Sequence, residues 1–347
     1  MFVCRSWLDR GYLWNQDIDN LTSECRRPEK RGFDAKTSSC ARATVLTNAK
    51  VGRVILSDGS NPSATGIEFV DASGSTFTAN ANLEVIMAAG AIMSPVILQH
   101  SGIGPASVLS AASVESRVDL PIGMNLVDQV TTTTNWQFSG GRGGAQPVLF
   151  PQFEDLFEGA DEDRMRGILA NDLGGYAQSA VDNGAATNAT ALQIVLELQR
   201  DWILNQGAGI AESFDYSFGS TLGYDSWYLL PFGRGSVKIT GSDAYAPPSE
   251  GISVDPRYFS NDFDRLAQGA ISRYTRRVST SSPLSGSVTG ESEPNSGLAA
   301  NADLSAWADW TEGNYRSNWH PIGTAAMMSQ EMGGCVDSEY AVVSAGK

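Results

Sequence analysis

Histidine is scarce in this sequence. His100 and His320 are the two in 347 residues, so acid–base chemistry near neutral pH has few side chains to draw on. Cysteine is scarce too. Cys4, Cys25, Cys40 and Cys335 form no Cys-x-x-Cys pair and no zinc or iron–sulfur ligand spacing, so no metal site is expected. Three of them fall in the first 40 residues, and the spacing leaves any disulfide pairing open. No run approaches the roughly 18 apolar residues of a membrane span. The start, Met1-Phe2-Val3-Cys4-Arg5, shows no apolar stretch of signal-peptide length. Positive charge is in deficit: 24 Lys and Arg against 39 Asp and Glu give a net charge of −15. That balance repels nucleic-acid phosphates and anionic lipid, so neither is expected as a partner. A Gly-x-Gly-x-x-Gly turn is also missing. The nearest glycine cluster, Ser139-Gly140-Gly141-Arg142-Gly143-Gly144, has the wrong spacing and follows no apolar strand.

What is present is ordinary globular material with 41% hydrophobic and 18% charged residues, long enough for a sizeable core in two domains or one large one. Residues 1–43 carry no sustained period. From Val45-Leu46-Thr47 onward the pattern sharpens into strands at about 51–56, 65–70 and 75–80, separated by Ser57-Asp58-Gly59-Ser60 and Asp71-Ala72-Ser73-Gly74. Leu83-Glu84-Val85-Ile86-Met87-Ala88 is more continuously apolar than the strands before it and predicts a strand of a sheet interior. It runs into Gly90-Ala91, with Ser94 as the expected N-cap and Pro95 at the first helical position. Such a strand–turn–helix start offers free N–H groups and a positive dipole end to a ligand.

Further on, helices are expected near 153–182, 189–205 and 260–279. Leu192, Val195, Leu196, Trp202 and Ile203 mark the buried face of the second; Phe263, Leu266, Ala270, Ile271 and Tyr274 mark that of the third. Strands are expected around Tyr224–Pro231 and Gly235–Ile239, and a Ser-, Gly- and Pro-rich loop over 280–300. The mixture predicts α/β with α+β architecture in two interleaved domains.

His100 sits among apolar neighbours and reads as structural. His320 lies in Tyr315-Arg316-Ser317-Asn318-Trp319-His320-Pro321. In an extended segment Arg316, Asn318 and His320 share a face. A guanidinium fork, an amide and a neutral imidazole can together grip several hydroxyls and remove one proton. A solvated strand with scattered polar groups fits the same residues, and the pattern alone leaves both readings open. Asn20-Leu21-Thr22 and Asn188-Ala189-Thr190 are glycosylation sequons.

Gly90-Ala91-Ile92-Met93-Ser94-Pro95-Val96-Ile97-Leu98-Gln99-His100-Ser101-Gly102-Ile103-Gly104-Pro105 meets every fixed position of the second signature of the glucose–methanol–choline (GMC) oxidoreductases. Leu120 to Gln129, Leu229-Leu230-Pro231-Phe232-Gly233-Arg234-Gly235, Ala302 to Trp307, Asn318-Trp319-His320-Pro321 and Gly333-Gly334-Cys335-Val336-Asp337 are similar to the glucose oxidase and FAD-dependent glucose dehydrogenase branch of that family. The resemblance runs from about 44 to about 338. It implies an FAD cofactor and oxidation of a sugar hydroxyl, with His320 as catalytic base and Glu212 as the carboxylate supporting a second catalytic histidine. It also implies Arg316, Asn318, Phe214 and Trp227 as sugar-binding residues, and Val51, Gly90, Ala91 and Trp319 as flavin contacts. A small sugar and an electron acceptor, quinone-like or oxygen, are the implied partners. The surroundings of Pro321 and Ala325 lean toward the dehydrogenases, and secretion is expected from the resemblance.

Residues 1–43 and the last ten read as unlike the family, and neither histidine fills the second catalytic position. The resulting division is a divergent segment 1–43, part of an FAD-binding domain over 44–125, a substrate-binding domain over 126–317 with an antiparallel sheet flanked by helices, and a return to the active site over 318–347. With the glycine turn missing, this chain alone is expected to bind FAD weakly or not at all. Two alternatives follow: a non-catalytic, sugar-binding fragment or pseudoenzyme, and another GMC alcohol oxidase.

Overall fold

A computed structural model describes residues 45–140, 146–295 and 297–342. The expectations for 1–43, including Asn20 and the three early cysteines, lie outside the described residues. The first unit among the described residues is a meander. Strands β1 (Lys50–Leu56), β2 (Ala64–Val70) and β3 (Thr76–Asn80) pair antiparallel in sequence order, as the turn residues between them require. The apolar run at 83–88 is a correction. It forms only isolated bridges, and Leu83 is 96% exposed. Such a run becomes a buried strand only where strands flank it and helices cover it, and no described strand does so here.

Helix α1 (Gly90–His100) starts four residues before the expected cap. Ala89 is the N-cap, and Pro95 lies inside the helix. The Ser94 hydroxyl still serves the start of the helix, accepting the Ala89 N–H at 3.0 Å. Helix α2 (Ala106–Ala111) follows. The chain then enters β4 (Val130–Phe138) and the short β5 (Val148–Leu149). The expected helical stretch at 153–182 divides into α3 (Phe153–Leu156), α4 (Ala160–Asn171) and α5 (Leu173–Asp182). Helix α6 (Ala189–Asn205) buries Leu192, Leu196 and Ile203. Trp202, expected on the same face, is half-exposed.

Strands β6 (Ala211–Phe218), β7 (Thr221–Tyr228), β8 (Ser236–Ile239) and β9 (Ile252–Asp255) follow, with the single-turn α7 (Pro248–Gly251) before β9. Helix α8 (Asp262–Thr280) is capped by Asn261, whose side chain accepts the Asp264 N–H at 2.9 Å. The supposed loop at 280–300 contains β10 (Val288–Glu293). That strand is fixed by tertiary contacts a sequence pattern does not show: Arg276 donates to both carboxylate oxygens of Glu291, at 2.7 and 2.9 Å, and lies 4.3 Å from the Trp307 ring. Helix α9 (Leu304–Gly313) and β11 (Tyr315–Ser317) complete the order.

Strands β10, β4, β7, β6 and β5 form an antiparallel sheet in that order, with β11 also paired to β4. One face packs on α8. There Phe263, Leu266, Ala267, Ala270 and Ile271 are buried, each large side chain contributing about 1.5–3 kcal/mol. Gln268, fully buried within this apolar layer, is satisfied by the sheet. It accepts the Tyr228 N–H at 3.0 Å and donates to the Ser226 carbonyl at 3.0 Å and the Thr132 hydroxyl at 3.1 Å. Gln99 locks α1 to β8 in the same manner, donating to the carbonyls of Ile122 and Val237 and accepting the Ile239 N–H. The whole is the expected mixture of helices and antiparallel sheets.

Candidate active site

A single carboxylate shapes the segment that carries His320. Asp128 is buried just ahead of β4. Its Oδ1 accepts the His320 backbone N–H at 3.0 Å. Its Oδ2 accepts the Ser317 hydroxyl at 2.7 Å and also the Tyr258 hydroxyl. Ser317 Oγ in turn accepts the Trp319 N–H at 2.9 Å. The Asn318 N–H donates to the Gln129 carbonyl at 2.9 Å, and Val127 and Ile322 exchange backbone bonds. Residues 317–322 are thereby laid antiparallel beside 127–130. Gly323 closes the segment at φ +93, where a Cβ would stand 2.2 Å from the Asn125 carbonyl oxygen.

Trp319 takes φ +57, the left-handed region that a bulky residue enters only under constraint. This breaks the alternation expected from an extended strand. Arg316 does not join Asn318 and His320. Its guanidinium lies 5.0 Å from the centre of the Trp319 ring and donates to Asp225 Oδ2 at 3.3 Å. Asn318 and His320 do meet, with Asn318 Nδ2 2.9 Å from His320 Nδ1. Gln129 Oε1 lies 3.0 Å from the same nitrogen. Asn318 Oδ1 accepts the Thr131 hydroxyl at 2.7 Å. The His320 and Trp319 side chains are exposed, whereas Asn318 is buried.

Behind them stands the sheet face opposite α8. Glu212 pairs with Trp227, Trp227 with Thr131, and Thr131 with Arg316. Residues directly opposite in antiparallel strands present their side chains on one face, so these four form a row. Phe214, Asp225 and Thr133 form the next. The Trp227 and His320 rings lie 6.1 Å apart, edge to face at 84°. Trp227 Nε1 is buried without a hydrogen-bond partner, an unmet donor beside the imidazole. Glu212 is half-buried and shares no hydrogen bond with His320 among the described residues.

Of the four expected flavin contacts, two lie on α1 and two do not. Gly90 and Ala91 open its first turn, which has no side-chain cap and no acidic residue. Gly90 has φ +81, and a Cβ there would meet nothing within 4 Å. Trp319 is 74% exposed. The donors and the open space therefore fit one edge of a flavin: unpaired N–H groups at a helix N-terminus suit its electron-rich ring atoms, and an exposed indole supplies a flat wall. Val51 lies elsewhere. Strand β1 is tied through Val54, whose N–H donates to Ser101 Oγ at 2.7 Å, to the far end of α1, roughly 15 Å from Gly90 along the helix axis. No glycine-rich phosphate turn occurs among the described residues. His100 is buried, and burial together with Arg53 holds its pKa down to about 4.

Asp128, Gln129 and Asp225 are polar residues to which the sequence reading gave no role at the site. The first two stand inside the quoted Leu120–Gln129 stretch, and Asp225 is two residues from Trp227. Their types gave the signal; what was missing was the pairing of 127–130 with 317–322.

Comparison with known proteins places the chain. The GMC oxidoreductase N-terminal profile matches residues 23–131 and its C-terminal profile matches 231–345. The likeness thus includes residues 23–43 and 339–345, which the sequence reading had set outside the family. A glucose oxidase of Aspergillus carbonarius is 39% identical over 86% of this chain and 49% of its own length. Glucose oxidase 1 of Penicillium expansum is 39% identical over 85% and 48%. The chain spans about half the length of these curated relatives. Among solved structures, a fungal aryl-alcohol oxidase superposes with a TM-score of 0.73 at 24% identity, covering 89% of this chain and 56% of that one. An FAD-dependent oxidoreductase from Chaetomium thermophilum does so with a TM-score of 0.68 at 22% identity, covering 89% and 57%. At those identities the likeness speaks for the fold. The two family profiles and the glucose oxidase relatives establish that this chain belongs to the GMC oxidoreductase family.

Proposed function

We propose that this chain forms the sugar-facing part of an FAD-dependent oxidoreductase acting on a glucose-like hydroxyl. The observation that carries the reading is the convergence on His320 of a ring wall, Trp227, and an amide, Asn318, with Arg316 in the same sheet row as Trp227 and β4 between them. When bound, FAD supplies the hydride acceptor. Gly90, Ala91 and Trp319 are the residues that would hold its ring, with Val51 toward its other end. His320 takes the hydroxyl proton. Its Nδ1 faces the Asn318 and Gln129 amides, so Nε2 is the nitrogen left for substrate. A placed base of this kind contributes about 10²–10⁴-fold. Arg316 and Asn318 donate to sugar hydroxyls, Phe214 and Trp227 wall the ring, and Glu212 supports a second base.

On the acceptor, the proposal puts a quinone-like compound slightly ahead of oxygen, resting on Pro321 and Ala325; the relatives' name, glucose oxidase, favours oxygen. We also place the protein outside the cell, supported by the exposed sequon at Asn188. The test is the visible spectrum of the chain mixed with excess FAD under nitrogen, before and after glucose. Bleaching with glucose, absent with a benzylic alcohol and lost in His320→Ala, is the expected result. Bleaching with the benzylic alcohol alone would replace the sugar with a small aromatic substrate. Sugar binding with no flavin signal would favour the second reading, a non-catalytic sugar-binding unit, which the lack of a glycine-rich phosphate turn supports.

A further inference from the structure

His320 Nδ1 has two amide neighbours that make opposite demands on it. Asn318 Nδ2, 2.9 Å away, can only donate, and would leave the proton on Nε2. Gln129 Oε1, 3.0 Å away, can only accept, and would put the proton on Nδ1. A ring nitrogen carries a proton or a lone pair, so only one demand is met, and it decides whether Nε2 is a base or a donor.

The surroundings of the two amides separate them. Gln129 Nε2 donates to the Leu229 carbonyl at 3.1 Å. A carbonyl only accepts, and turning the amide over would set two oxygens against each other, so Gln129 Oε1 is fixed toward the imidazole. Asn318 Oδ1 contacts the Thr131 hydroxyl at 2.7 Å. A hydroxyl donates or accepts with equal ease, so nothing there fixes Asn318. Its Nδ2 also has Gln129 Oε1 in reach at 3.4 Å, an outlet that needs no lone pair on the histidine.

We infer that Gln129 is a positioning residue that sets the tautomer of His320, holding the proton on Nδ1 and presenting Nε2 as the free base. The chain runs from the Leu229 carbonyl through the Gln129 amide to the His320 ring, and so ties the end of β7 to the base. This deepens the proposed oxidation and rests on it for its catalytic meaning, but the tautomer itself is measurable without flavin or sugar.

The experiment is two-bond proton–nitrogen correlation NMR on the 347-residue chain labelled with ¹⁵N-histidine, at a pH about two units above the ordinary histidine pKa of about 6.5. With two histidines present, His320→Gln assigns the spectrum. Wild type is expected to show His320 protonated at Nδ1 and bare at Nε2. Gln129→Leu is expected to lose that pattern in favour of Nε2–H, because Asn318 is then the sole amide at Nδ1. Gln129→Glu restores an acceptor and keeps Nδ1–H, and Asn318→Ala keeps it too. An Nε2–H ring in wild type overturns the inference, as does a pattern unchanged in Gln129→Leu or lost in Asn318→Ala. Should Gln129→Leu not fold, the wild-type, Gln129→Glu and Asn318→Ala spectra still decide. An Nδ1–H ring in a protein that never reduces flavin would sink the oxidation reading and leave the positioning role standing.

Discussion

The hydroxyl of Thr324 donates to the carbonyl of Ala91 at 2.6 Å, and that carbonyl is open because of a proline. In a regular helix it would accept the N–H four residues on, which is residue 95. Pro95 has none. Thr324, 2% exposed, fills the gap from a segment more than 200 residues away, and its own carbonyl accepts the Gly123 N–H at 2.8 Å. The start of α1 and the stretch after His320 are thereby held together.

A double-mutant cycle tests this. Thr324→Val leaves a part-buried carbonyl without a partner and is expected to cost about 1–3 kcal/mol, read from the urea midpoint at constant m-value. In a Pro95→Ala background the new N–H at residue 95 replaces the hydroxyl, so the same change should cost less than half as much. Equal costs in both backgrounds would mean that the Thr324 hydroxyl does not compensate for Pro95.

Asp215 gives the fold a pH dependence. It sits on the α8 side of β6, and burial pushes its pKa up from 3.8 to about 6 against the opposing bond from Ser213 Oγ. Between about pH 4 and 6 the unfolded chain has released this proton and the folded chain still holds it. Stability therefore falls as pH rises through that window, by up to about 3 kcal/mol. Asp215→Asn should be more stable than wild type at pH 7 by a similar amount and indistinguishable from it below pH 4. Urea titrations at both pH values check this, and a penalty for Asn at pH 7 would contradict the burial argument.

How far the sequence disclosed this structure depended on whether the deciding contacts were local. The β1–β3 meander was legible because turn residues and period two are properties of neighbours in the chain. Helix α8 was legible from Phe263, Leu266, Ala270 and Ile271 at helical spacing. Pro95 misled because its place inside a helix is tolerated only with Thr324 at hand. Strand β10 was hidden because Arg276 and Trp307 hold it, and the stretch at 83–88 because an apolar run does not carry its own neighbours. At the site, Asn318, His320 and Trp227 stand together. Arg316 did not join Asn318 and His320, since the left-handed Trp319 turns the chain between Ser317 and His320, and that turn is imposed by Asp128 from another segment.

The proposed extracellular setting makes its own prediction. Asn188 caps α6, its side-chain oxygen accepting the Ala191 N–H at 3.2 Å, and the residue is exposed. The oxygen makes the cap while Nδ2 is the atom a glycan uses, so capping and glycosylation are compatible. Secretion from a eukaryotic host should yield a glycosidase-sensitive mass at this site. Thr190→Ala should abolish that mass without the loss of about 1 kcal/mol that removing the Asn188 cap would bring. An unglycosylated Asn188 in secreted protein would show the sequon to be unused.

Under the proposed function, Arg316 is expected to separate sugars from simple alcohols. Its guanidinium is exposed, steadied by Asp225 and by the Trp319 ring, and a solvent-facing pair of this kind adds under about 1 kcal/mol to stability. Arg316→Ala should therefore leave the urea midpoint nearly unchanged. A charged hydrogen bond to substrate is worth about 1.5–3 kcal/mol, so the same variant should lower kcat/KM for glucose by roughly 10–150-fold. A benzylic alcohol, with no ring of hydroxyls to meet the fork, should lose little. Measuring both substrates on one holoenzyme preparation makes the ratio independent of flavin content. A parallel loss for both would assign Arg316 to holding Trp319 rather than to gripping the sugar, and Arg316→Lys, which keeps the charge over the ring but not the planar fork, would then restore both together.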